Sequence, residues 1–208
     1  MSDTADGTPT HEAGSLPPSL GAARLRGLSH PLRVRIFTLL QSQGSMTASL
    51  LAEKLGESSG STSYHLRQLA RHGFVTEVDG KGTARERWWQ SIPGGFSVAP
   101  EATDDAGTRS AKSMVNAEFE RARQENIWRI LRAMDTDIEA NPLYADWRNA
   151  VTLSTLSLTA RPEQVEQLIS RIHAFIDEQL APLREQQDVP GARPVQIHFN
   201  AFPVPDDA

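Results

Sequence analysis

The run GSTSYHLRQL, from Gly60 to Leu69, decides how this chain is read. Thr62, Leu66 and Leu69 recur at i, i+4 and i+7, the spacing of one helical face, and are expected to pack inward. Ser61, Tyr64, His65 and Gln68 read as the opposite, polar face. The helix is expected to start at Ser58 or Ser59, after the turn Glu57-Ser58, and to end at Gly73. Such a helix has something to pack on and something to present to a partner.

Working outward, Pro31 suits the first turn of an earlier helix, where its missing N–H costs nothing. Leu32, Ile36, Leu39 and Leu40 supply the buried stripe of that helix, and Gln43-Gly44-Ser45 ends it. Thr47 is a good N-cap for a third helix that faces Leu51 and Leu55 inward and stops at Gly56. A short helix is expected around Ala22–Leu28. After Gly73, the segments Phe74–Asp79 and Thr83–Gln90 read as a hairpin turning on Gly80-Lys81-Gly82.

Beyond Ser91 the chain is rich in Pro, Gly, Ala and Asp without a period, as a linker would be. A long amphipathic helix is expected from about Ser110 to Ile138, with Val115, Phe119, Ile127, Leu131, Met134 and Ile138 on its apolar side. Val151–Leu158 reads as a strand, and Pro162 opens another helix striped by Val165, Leu168, Ile169, Ile172, Ile176, Leu180 and Leu183. Val195, Ile197 and Phe199 alternate with Gln196, His198 and Asn200, the pattern of a half-buried strand. The expected class is α+β, mainly α. Its parts are a disordered tail (1–20), a compact N-terminal domain (21–92), a linker (93–109) and a C-terminal α/β module led by a long dimerisation helix (110–208).

Composition narrows the chemistry. The 208 residues include no cysteine, which removes disulfides, zinc–cysteine sites, thiol catalysis and thiolate metal sensing together. The acidic, polar N-terminus lacks the basic start and apolar core of a signal peptide, and no apolar run approaches the roughly 18 residues of a membrane span. A cytoplasmic protein with no membrane partner is expected. The net charge of −5 is unevenly spread. From Ala22 to Ile92 there are ten basic and five acidic residues, a net +5, which leaves −10 for the rest of the chain. One module is thus suited to phosphate and the other is not. No nucleophile–base–orienter set, phosphate loop or metal constellation stands out, so no catalytic residue, cofactor or metal is expected.

Two helices joined by a short turn, the second polar on its outer face, make a helix-turn-helix. Its second helix fits the major groove of double-stranded DNA, about 12 Å wide. Small hydroxyls at the start of that helix allow close approach. Gln68 could pair with adenine, and Tyr64 could touch a thymine methyl or a phosphate. Arg67 and Arg71 are read as lying off the central face, positioned for phosphate. Lys81, Arg85 and Arg87 would bring the hairpin to the backbone or minor groove, with Glu86 pairing among the arginines.

The segments HPLRVRIFTLL (His30–Leu40), LAEKLG (Leu51–Gly56), STSYHLRQLARHGFV (Ser61–Val75) and GTARERWW (Gly82–Trp89) together resemble the ArsR-type winged helix-turn-helix regulators. The resemblance implies a homodimer that binds a near-palindromic operator, commonly as a repressor. It also implies reading positions at Ser59, Ser61, Ser63, Tyr64, His65 and Gln68. The chain departs from the metal-sensing branch, having no cysteine on the support helix and no later His/Asp cluster with ligand spacing. Its longer C-terminal half is similar to the extended members of actinobacterial type.

Other residues carry plainer expectations. Phe119, Trp128, Tyr144 and Trp147 form a candidate pocket for a small-molecule effector, or else core or dimer interface. His30 reads as an N-cap or turn residue, His173 as surface, and Trp88 and Trp89 as pointing to opposite faces of their strand. Asp104-Asp105 and Asp206-Asp207 read as solvated ends. The alternative to a DNA-binding regulator is a winged helix that binds a protein partner, with the acidic half as scaffold.

Overall fold

A computed structural model describes residues 19–81, 86–135, 147–183, 186 and 189–204. The chain forms two compact units, one of Leu20–Ile92 with Val98–Leu158, the other of Met1–Ser19, Pro93–Ser97 and Thr159–Ala208. The molecule is mainly helical.

In the first unit the order is α1 (Ala22–Leu28), α2 (Pro31–Gln43), β1 (Met46–Thr47), α3 (Ala48–Leu55), α4 (Ser59–Arg71), β2 (Val75–Glu77), β3 (Trp88–Ser91) and α5 (Ala106–Asp135). The starts of α2 and α3 have local causes. Pro31 sits at the first position of α2, and His30 Nδ1 accepts the Leu32 N–H at 3.1 Å, so His30 is the expected cap. Thr47 Oγ1 accepts the Leu50 N–H at 3.2 Å to open α3. Gly56 closes α3 at φ 69°, a left-handed conformation that a side chain would strain.

The sheet has the order β1-β3-β2, all antiparallel. Its register pairs Met46 with Trp89, Val75 with Ser91 and Glu77 with Trp89. Strand β1 is only two residues long, too short for a periodicity to announce, and it is absent from the sequence reading. The two tryptophans do divide: Trp89 is buried and Trp88 half-buried.

Leu28, Val34, Ile36, Leu40, Leu51, Leu66, Leu69, Phe74 and Val115 are almost wholly withdrawn from solvent and form the core of this unit. Phe37 ties its layers together, edge-on to Phe74 at 5.5 Å and to Phe119 of α5 at 6.3 Å. Gly27 is where α1 comes closest to the end of α4. A Cβ there would lie 2.6 Å from the His72 Cβ and 2.8 Å from the Phe74 ring.

Helix α5 begins at Ala106, four residues before the expected start. Asp105 Oδ1 accepts the Thr108 N–H at 2.6 Å, so this aspartate is a cap rather than a solvated end. Asp104 is engaged too. The Lys112 ammonium, with 3% of its side chain exposed, donates to Asp104 Oδ2 at 2.9 Å, Glu101 Oε1 at 3.3 Å and the Ala99 carbonyl at 3.0 Å. Asn116 Nδ2 donates to the Val98 carbonyl at 3.1 Å. Residues 98–105, read from the sequence as linker, are thereby fastened along the first turns of α5.

In the second unit, Pro162 begins α6 (Pro162–Leu180), as its position in the sequence suggests. No side chain of α6 is fully buried. His173, expected at the surface, is half-buried and meets the Phe199 ring edge-on at 5.7 Å. The two strands expected at Val151–Leu158 and at 195–200 are not strands, and among the described residues there is no second sheet. Alternation encodes two unlike faces. It does not encode the neighbouring chain whose N–H and C=O groups a ladder requires.

Candidate nucleic-acid interface

Helix α4 is set between α3 and β2 by its own ends. Ser58 Oγ accepts the Ser61 N–H at 3.2 Å, and Thr62 Oγ1 donates to the Ser58 carbonyl at 3.0 Å. After His72, Gly73 takes φ 71° and turns the chain into β2. Thr62, Leu66 and Leu69 are fully buried, as their spacing requires.

The outward face differs from the one read in the sequence. His65 is 8% exposed and belongs to the inner face. It lies three residues after Thr62, and a helix of 3.6 residues per turn puts such a pair on one side. The His65 ring lies 4.4 Å from the ring of His30, so the helix cap of α2 and the middle of α4 touch. Its Nδ1 is buried without a hydrogen-bond partner. Burial, then the neighbouring His30 and Arg33, hold its pKa below the ordinary histidine value, against a smaller opposing pull from Glu57.

After Ser59, the exposed residues of the helix are Gly60, Tyr64, Arg67 and Arg71, spaced four, three and four apart along one stripe. Tyr64 is 51% exposed. Ser61 and Gln68 flank this stripe on one side and Ser63 on the other, all half-buried, while Ser59 is exposed in the first turn. Arg67 and Arg71 therefore lie on the centre line of the outer face, not off it. The signal was present in the sequence. The direction opposite to Thr62, Leu66 and Leu69 on a helical wheel runs through Gly60, Tyr64, Arg67 and Arg71.

The hairpin holds its charges close. Lys81 Nζ donates to Ser45 Oγ at 2.6 Å and lies 4.3 Å from the centre of the Trp88 ring. Arg87 pairs with Glu77 across the β2–β3 ladder at 2.9 Å. Glu77, rather than the expected Glu86, is thus the carboxylate at this arginine. Both contacts are exposed and worth about 1 kcal/mol or less each, so a phosphate could displace them. Arg85 lies outside the described residues.

Of the aromatic set read as an effector pocket, Phe119 and Trp128 are not brought together. Phe119 packs on Phe37, whereas Trp128 is 61% exposed. Nine residues separate them, two and a half helical turns, which sets them on opposite sides of α5. Trp147 is half-buried and Tyr144 lies outside the described residues. A cleft of about 360 Å³ does open between α2, α3 and α5, bordered by Arg35, Thr38, Lys54, Arg121, Glu125 and Arg129.

Residues 28–78, from the end of α1 through β2, match the family model of a helix-turn-helix domain. The segment carries a helix-turn-helix of the DNA-binding kind. No curated protein matches the chain. Among the described residues, no helix is long and apolar enough to cross a membrane. A DNA-binding regulator is the general function that such a module serves, and α4 is its second helix.

Proposed function

We propose that the protein is a homodimeric transcription regulator of the ArsR-type winged helix-turn-helix kind, acting as a repressor on a near-palindromic operator. Helix α4 enters the major groove, and the wing at 80–87 lies on the backbone or minor groove. The observation that carries this reading is the outer stripe of α4. A helix sealed in the core on one side turns two arginines, which pair with no described residue, a tyrosine and a glycine to solvent on the other. The net +5 of residues 22–92 within an acidic chain supports the same partner. The four ArsR-like segments support the family, with α2, α3 and α4 in the expected order. The dimer rests on α5, whose Trp128 is a large apolar side chain left in water. The chain acts by binding and not by catalysis, and a small-molecule effector would act through the C-terminal half.

Selection of bound fragments from genomic DNA, with the mass of the complex measured alongside, tests this. The expected result is a site with two half-sites about 34 Å apart, one DNA turn. Failure to retain any fragment at low salt would remove the DNA-binding reading.

A further inference from the structure

Helix α4 meets its partner along a line, and the residues on that line decide what can be read. The line runs Gly60, Tyr64, Arg67, Arg71. Gln68, the natural adenine reader by residue type, is half-buried on the flank. His65, another expected reader, faces inward. Arg67 makes no hydrogen bond or ion pair with any described residue, so its planar fork of donors is free to engage. It sits in the third turn, about 12 Å along the axis from Ser59, a mid-helix position of the kind that reads base edges in some three-helix variants of the module. Arg71, in the last turn, lies about 6 Å further on, where the groove wall of phosphates comes up to meet a helix.

Gly60 adds an independent observation. It lies in the first turn of α4, two residues after the Ser58 cap, where glycine is a poorer helix former than alanine. No intramolecular reason requires it, since a Cβ there would meet nothing within 4 Å and its φ is not left-handed. The fold tolerates alanine at this position, so the bare backbone serves whatever comes to the outside of the stripe.

We infer that Arg67 is the principal base-reading side chain of the helix, taking the O6 and N7 atoms of a guanine in each half-site, and that Gly60 clears the approach that lets it reach them. This rests on the DNA-binding reading given above. Arginine donates to those two acceptors through two parallel N–H bonds from a planar fork, whereas lysine reaches them only through a flexible ammonium.

The test compares the full-length protein with Arg67→Lys, Arg67→Ala, Arg71→Ala and Gly60→Ala on the selected operator, on operators with each base pair changed, and on random DNA. Arg67→Lys is expected to bind random DNA within about two-fold of the parent. Arg67→Ala should lose a preference of about 5- to 150-fold for guanine at one position of each half-site, and Arg67→Lys should keep part of it. Arg71→Ala is expected to weaken all sequences alike. Gly60→Ala is expected to raise the melting temperature while weakening operator binding, two signs that a purely structural role would not combine. If Arg67→Ala keeps the guanine preference and weakens every sequence equally, Arg67 is a phosphate contact and the inference falls while the regulator reading stands. If the parent binds no DNA, both fall.

Discussion

His65 joins the reading helix to the cap of α2 through an imidazole that is held neutral. Its folded pKa lies below the ordinary value of about 6.5, so the unfolded chain takes up a proton first as the solution is acidified. The histidine's contribution is therefore fully present above pH about 6.5 and is lost as pH falls from there through the folded pKa. Urea midpoints taken from pH 7.5 down to 5 should show a decline that is shallower in His65→Gln; equal slopes in the two proteins would refute this. Gly27→Ala should destabilise by about 1–3 kcal/mol, because His72 and Phe74 leave no space for a methyl group. A thermal melt at neutral pH measures it. At this scale the sequence was legible wherever a residue acts locally. Pro31, His30, Thr47 and Gly56 do what their types suggest. His65 was misread because chemical identity, a polar ring amid polar neighbours, outweighed helical phase.

Among the elements, α4 is held by its apolar side and α5 by its first turns. Leu66→Ala should cost about 2–5 kcal/mol, since the side chain is fully buried at the middle of α4. Lys112→Met leaves the Asp104 carboxylate without its ammonium. The expected outcome is a fall in melting temperature larger than that of Arg121→Ala, whose pairs with Glu118 and Glu125 are more exposed. The pairing with Asp104 also raises the pKa of Lys112 and lowers that of Asp104. Stability from Asp104 is thus lost as pH falls through its depressed value, and that from Lys112 as pH rises through its elevated one. Helices with a strong period were legible to within a few residues, α5 least so because its cap lies in a stretch that reads as linker. Long-range pairing was not legible. Strand β1 is too short to have a pattern, the alternation at 195–200 is a pattern without a sheet, and the segment 151–158, read as a strand, is none.

For the whole molecule, the open question of assembly has a direct measurement. Sedimentation at micromolar concentration should give twice the 22.9 kDa chain mass, and Trp128→Glu should return it toward the single chain. A parent that sediments as one chain would remove α5 as the dimer helix. DNA binding should weaken steeply with added salt, and the slope should flatten by about one when Arg71 is replaced.

The Lys112 clamp has a mechanical side. It fastens the segment leaving the wing strand β3 to the base of a helix of 30 residues, about 45 Å long. Val115 and Phe119 hold the following turns of α5 against the core, so the clamp secures the loop more than the helix. One ammonium gathers a carbonyl and two carboxylates from residues 99–104, and its removal should free that loop while α5 stays seated. Amide exchange in Lys112→Met should therefore quicken at 99–104 first; equal quickening along α5 would show that the helix itself hangs on the clamp.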